Sequence, residues 1–248
     1  MYTRKAIRIG IWAVAFVLAV AVSLPAFAQD EAQADDGDKA PLKLKLPEPY
    51  YGATPLNYFG PNLERTYKKR PPFLAPKGAE NVAKGKPVTG SVKKPSFGKF
   101  EQITDDDKKY EEGSIVEIDA GLQYIQIDLG AVYNIYAVLI WHFHSEERVY
   151  FDTQVYFSND PEFKKENVKV VFNNDHDNSS GLGKGKDKEY VENYEGKLVD
   201  TKGAPARYVR LYSKGNTTDD FNHYIEVAVY GLPADGAEAA PAEAAEGE

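Results

Sequence analysis

Three of the four histidines in this 248-residue chain lie where their spacing could do chemistry. Trp141-His142-Phe143-His144 places two imidazoles two residues apart, and Asn173-Asn174-Asp175-His176-Asp177-Asn178 adds a third among side-chain oxygens. On an extended strand a spacing of two puts His142 and His144 on one face, and imidazoles beside carboxylates are ligands for a transition metal such as zinc. The same residues also read as a hydrogen-bonded core or edge histidine next to a loop whose Asn and Asp side chains close turns on their own backbone. Catalytic motifs are missing. Residues 180–186, Ser-Gly-Leu-Gly-Lys-Gly-Lys, lack the Lys-Ser/Thr ending and the strand-to-helix setting of a phosphate loop. No nucleophile elbow, zinc-protease motif or serine triad can be named.

The elements that must hold these residues read as strands. After Asn81 the chain breaks into short runs rich in Val, Ile, Tyr and Thr, separated by Gly, Asn, Asp and Pro. Residues 124–129 alternate, with Ile125, Ile127 and Leu129 on one face and Gly130 as the stop. Residues 133–144 form a longer, mostly apolar strand suited to a position covered on both sides. Residues 152–158, 168–172, 207–212 and 224–230 complete the set, and Val209, Leu211, Ile225, Val227 and Val229 share the core-facing parity. No amphipathic helix follows the N-terminal segment, so the expected fold class is all-β, an antiparallel jelly-roll sandwich.

The ends have their own character. Arg4, Lys5 and Arg8 precede an uncharged apolar run and then Pro25-Ala26-Phe27-Ala28, the layout of a signal peptide over residues 1–28, with an uncleaved anchor as the alternative. Residues 29–40 read as an acidic linker. Residues 233–248, dominated by Ala and Glu, read as a disordered tail, since that composition buries too little to offset ordering. Between linker and domain, residues 41–80 carry Pro47, Pro49, Pro55, Pro61, Pro71, Pro72 and Pro76 interleaved with Tyr50, Tyr51, Tyr58, Phe59, Tyr67 and Phe73. Such proline density forbids helix and central strand, and the aromatics suit an arm lying against the domain, which spans 81–232. With no cysteine the fold has no disulfides. A net charge of -8 without a basic cluster excludes nucleic acid as a partner. An exported location, secreted or periplasmic, and no membrane span after signal removal complete this expectation.

Six segments together resemble the discoidin, or coagulation factor 5/8 type C, family. Asn81-Val82-Ala83-Lys84-Gly85-Lys86-Pro87-Val88-Thr89 resembles its entry strand, and Ile103-Thr104-Asp105-Asp106-Asp107-Lys108 its "I-x-D-G-D" turn. Residues 124–130 resemble "W-I-Q-I-D-L-G", 155–160 "V-x-V-S-x-D", 206–211 "A-R-Y-V-R-L" and 225–231 "I-x-E-V-x-V-Y-G". The resemblance covers residues 81–231 and implies a galactose-binding-like jelly roll, binding glycans, lipid head groups or proteins through loops at one end. Asp106 replaces the family's glycine and Tyr124 its tryptophan, and the flanking cysteines of the vertebrate branch are missing, which places the chain nearer the bacterial carbohydrate-binding branch.

The resemblance also implies a structural calcium, with Asp105, Asp107 and Glu226 as ligands; hard carboxylate oxygens suit that ion. A sugar needs hydrogen-bonding groups for its hydroxyls and an aromatic face for its ring. Arg148, Tyr150, His176, Asn178, Asn216, Asn222, His223 and Tyr224 are the loop and strand-end residues best supplied for this. The first expectation is therefore a non-catalytic module that binds a glycan or cell-surface component. The alternatives are an envelope adhesion or scaffold protein that binds another protein through the arm and tail, and a metal-dependent hydrolase using His142, His144 and His176.

Overall fold

Alternating β-branched and aromatic residues can bury one side only as sheet, and the computed structural model of the chain is accordingly all-β. It describes residues 38–49, 57–64 and 66–234. The signal segment, most of the linker, Tyr50, Tyr51 and Pro55 of the arm, and the tail beyond Ala234 lie outside the described residues. The strands are β1 (Lys39–Pro41), β2 (Leu74–Pro76), β3 (Glu80–Asn81), β4 (Val88–Gly90), β5 (Val116–Ile118), β6 (Gln123–Trp141), β7 (Gln154–Ser158), β8 (Val168–Asn173), β9 (Lys197–Ser213), β10 (Asn222–Tyr224) and β11 (Glu226–Pro233). Short 3-10 turns lie at Phe100–Thr104, Glu112–Ser114 and Lys165–Asn167.

The main sheet runs β3-β11-β6-β9-β7-β8, with β4 also on β6, and every pairing is antiparallel. Two long strands tie its layers together. The first half of β6 pairs with the second half of β9, from Gln123 opposite Ser213 to Asp128 opposite Tyr208. The second half of β6 pairs with the first half of β9 and, on its other side, with β11. Register shifts between Asp128 and Tyr133 and between Ile135 and Ala137 interrupt the ladder at two points along β6. Residues 124–129 and 133–144, expected as two strands, are therefore one strand that passes through Gly130 and ends at Trp141. The expected strand at 224–230 divides instead at Ile225, where β10 leaves to pair with β5.

Parity sorts the core. Ile125, Ile127, Leu129, Val138, Ile140, Val209, Leu211, Val227 and Val229 point inward into the main cluster. Ala137, Leu139, Trp141, Ala228 and Tyr230 point outward into a second cluster, onto which Leu42, Leu44 and Phe73 of the arm pack. The second half of β6 is thus apolar on both sides because both sides are covered. Trp141 is fully buried, donates its Nε1–H to Tyr194 O (2.9 Å) and lies against Gly196, whose φ is +66°. A side chain at Gly196 would come within 2.6 Å of the indole, so glycine is required there by both space and backbone.

The arm is fastened along its length. β1 and β2 pair with each other, and Leu42 N donates to Phe73 O (2.9 Å). Arg70 donates to the carbonyls of Gly196 and Glu195, each at 2.9 Å, and Tyr67 OH donates to Glu195 (2.8 Å). Nearer the loop end, Asn62 donates to Asp187 O (2.6 Å) and Tyr58 OH to Glu189 (2.6 Å), while Leu63 bridges Glu189. Prolines leave this segment few backbone donors, and side chains supply most of the fastening.

Candidate functional site

The loops after β6, β8 and β9 meet at one end of the sheet. Phe151 N donates to Gly215 O (3.0 Å), Lys214 N to Phe151 O (2.9 Å) and Thr217 N to Val149 O (3.0 Å). Lys214 Nζ donates to Ser179 O (2.7 Å), which brings the third loop in. Here the structure gathers Arg148, Tyr150, Asn216, Asn222, His223 and Tyr224, with His176 and Asn178 on the adjoining loop.

Several of these residues are turned inward. Asn222 is fully buried: its Oδ1 accepts from Gly215 N and its Nδ2 donates to the carbonyls of Asp119 and Gly121, all at 2.9 Å. Asn216 Nδ2 donates to Asp219 and Phe221 O, and Tyr224 OH shares a hydrogen bond with Ser213 in the interior. Tyr150 stacks on His142, with ring centroids 4.3 Å apart, and its hydroxyl meets His223 Nδ1 (3.1 Å). His223 Nε2 in turn donates to Glu117 (3.2 Å), and Arg148 is held by Glu146 and Asp219. Buried and already bonded, Tyr150, Asn222 and Tyr224 shape the loops and do not present a surface to solvent.

Burial, with Arg148 nearby, lowers the His223 pKa. A histidine whose folded pKa is depressed gives stability that is present above its unfolded value, near 6.5, and lost as pH falls through the folded value. His223→Gln is therefore expected to lose less stability than wild type between about pH 7 and 5, read as the shift in urea midpoint at each pH. Equal shifts in the two proteins would show that His223 does not titrate in this way.

What faces outward at this end is a cavity of about 280 Å³ whose lining includes Asn57, Tyr58, Phe151, Thr217, Thr218 and, from the expected ligand residues, Asn216. The Tyr58 and Phe151 rings lie 5.3 Å apart at 52°. Tyr58 and Phe151 were not among the expected ligand residues. The visible signal was the tyrosine-rich arm, but its landing place depends on contacts far apart in sequence.

The histidine constellation takes a different form from a metal site. β6 stops before His142, so the two-residue spacing no longer sets a common face. His142 Nδ1 meets Glu192 Oε1 (2.6 Å), His144 Nε2–H donates to Lys108 O (2.9 Å), and His176 lies on the separate loop. Among the described residues the metal-type ligands that converge are Asp152, Asp175 and Asp177, without a histidine. In that group Asp175 accepts from Ser179 N and Ser180 N (3.0 Å each), the turn-closing use expected of such a loop. Burial raises the Asp152 pKa.

At the aspartate turn, Asp106 has φ +74°, the conformation of the glycine it replaces in the family pattern. Asp105 accepts from Asp107 N (2.8 Å), and Asp107 accepts from Lys109 N (3.1 Å) and Ser114 Oγ (3.3 Å). Glu226 is fully buried and accepts from Asp106 N (3.1 Å), and its Oε1 has no partner among the described residues. Burial pushes its pKa up to about 9, against the pull of the Lys108 ammonium. Lys108, itself buried, donates to the Asp106 carbonyl (3.2 Å) and pairs with the Asp106 carboxylate. A calcium site needs the Asp105 and Asp107 carboxylates pointed at a shared ion; here they serve their own turn and an ammonium lies beside it, so the residues do not fit that ion.

No family model matches the chain, and no curated protein does either. Solved structures similar to it include the Family 89 Glycoside Hydrolase from Clostridium perfringens in complex with 2-acetamido-1,2-dideoxynojirmycin, at 22% identity and TM-score 0.45 over 62% of this chain. This chain spans 15% of the length of that enzyme. Another is the CBM32 of AlyQ in complex with 4,5-unsaturated mannuronic acid, at 18% identity and TM-score 0.42 over 59% of this chain and 95% of that one. A third is a chitosan-binding module 1 derived from chitosanase/glucanase from Paenibacillus sp. IK-5, at 18% identity and TM-score 0.43 over 62% and 99%. Among the described residues no helix is long and apolar enough to cross a membrane.

Proposed function

We propose that the chain is an exported, non-catalytic module that binds carbohydrate at its loop end, in the cavity lined by Tyr58 of the arm and Phe151 of the domain. The observation that carries this reading is the pairing of two tilted aromatic rings with the amide and hydroxyl groups of Asn57, Thr217 and Thr218 in a space of about 280 Å³. Rings present a face to the apolar side of a sugar, and the amides and hydroxyls exchange hydrogen bonds with its hydroxyl groups. The six-segment resemblance supports the same reading, as does the signal-like N-terminus.

Binding should be modest, because each sugar hydroxyl gives up water for a protein partner at small net gain. Against a panel of immobilised polysaccharides, Tyr58→Ala is expected to weaken binding about tenfold, equivalent to roughly 1.4 kcal/mol. Binding by neither wild type nor variant to any member of the panel would overturn the reading. Unchanged affinity in Tyr58→Ala would move the site elsewhere on the loops.

The protein-docking alternative draws less support, because the arm that would reach a partner is occupied by its own domain. Leu42, Leu44 and Phe73 cover the outer face of the sheet, and Arg70 is spent on Glu195 and Gly196.

A further inference from the structure

Asp106, the residue that distinguishes the aspartate turn from its family pattern, is bonded by Lys108 two residues on. Asp106 stands in a left-handed conformation where glycine would be free of cost, and its carboxylate is what that glycine could not provide. The carboxylate pairs with Lys108, and also with Lys84 at 3.3 Å. Lysine is among the residues least often buried, and a buried ammonium must be paired. Lys108 is nonetheless 5% exposed, with its Nζ bonded to the Asp106 carbonyl and lying 5.5 Å from the Trp141 ring centroid. Its own carbonyl receives the His144 Nε2–H, which fixes the backbone on the far side of the turn.

We propose that Lys108 is the resident cation of this turn, holding a carbonyl and a carboxylate of Asp106 beside Glu226 in the place where the family resemblance implies calcium. A carbonyl and a carboxylate oxygen are the ligand types a calcium ion would gather. A tethered ammonium gathers them without drawing on the medium, so the turn needs no metal to form. Asp106 and Lys108 are then a single device, the aspartate accepting backbone strain in order to hold the lysine.

Thermal melting of the whole chain in millimolar calcium and in chelator tests this. Wild type is expected to melt at the same temperature in both media. Lys108→Met is expected to melt at least about 4 °C lower. Asp106→Gly combined with Lys108→Ala, which restores the family glycine and empties the position, is expected to regain stability in calcium with a dissociation constant of about 10⁻⁴ to 10⁻³ M.

A wild-type rise in calcium that disappears in Glu226→Gln and persists in Asp175→Asn would overturn the proposal, as would a Lys108→Met protein melting like wild type. A calcium response that disappears in Asp175→Asn would place the ion in the Asp152 group and leave the Lys108 assignment standing. Should the lysine variants fail to fold, the wild-type melts and the Glu226→Gln and Asp175→Asn variants still decide the question.

Discussion

Glu192→Ala is expected to lower the free energy of unfolding by about 1–3 kcal/mol, the cost of leaving a buried hydrogen-bonding partner unsatisfied. Both side chains of the His142–Glu192 pair are fully buried, with Nδ1 and Oε1 2.6 Å apart. His142 Nε2 already has no partner among the described residues, so truncating Glu192 would leave the ring with neither nitrogen satisfied. The loss would spread outward through Tyr150, which stacks on His142 and reaches His223 at the loop end. Urea unfolding measures it. Glu192→Gln keeps an acceptor oxygen and should cost less, and replacing both partners by apolar residues of similar size should regain much of the loss. A change below about 1 kcal/mol in Glu192→Ala would mean that water reaches the pair.

Trp141→Ala should be more damaging, at about 3–5 kcal/mol. The indole is the largest fully buried side chain among the described residues, and three contacts depend on it: the hydrogen bond to Tyr194 O, the close approach of Gly196, and the cation–π contact with Lys108. Its cluster is also the seat of Leu42, Leu44 and Phe73, so the variant should loosen the arm as well as the sheet. Proteolysis at the arm under native conditions would report the second effect separately from the urea midpoint. An arm as resistant in the variant as in wild type would show that Trp141 does not anchor it.

Strand positions were legible where parity was strict. Ile125, Ile127 and Leu129, and likewise Val227 and Val229, declare one buried face, and the sheet places them in its central cluster; Ile225, expected with them, packs in the second cluster because the strand divides there. Lengths were less legible. Gly130 and the residues around it read as a stop, yet the register shift between Asp128 and Tyr133 absorbs them within one strand. The first half of β9, from Lys197, is hidden in the sequence because Asp200, Lys202 and Gly203 look like a turn; they do leave the ladder at a register shift, with Lys202 at φ +54° and Gly203 at φ +75°, and pairing with β6 continues on either side. β5 is three residues long and owes its existence to β10.

The loop end was legible as a gathering and not as a surface. Residue type marks Asn222 and Tyr224 as able to bond a ligand, but type does not tell whether the hydrogen bonds are already spent indoors. Lys108 shows the converse case: nothing in its acidic stretch marks it as buried, and only its tertiary partners do.

The two-sided cover of β6 bears on the order in which the molecule can assemble. Leu42 and Leu44 leave the ribosome early, yet the face that shelters them includes Ala228 and Tyr230 of β11, almost two hundred residues later. Until that strand is synthesised and paired, the leucines and the outer side of Trp141 have only part of their shelter. Contacts so distant in sequence are slow to form, and exposed apolar stretches in the meantime invite association with other chains. Nascent protein should accordingly depend on a holding chaperone for most of its synthesis, and truncation just before β11 should yield an aggregating product.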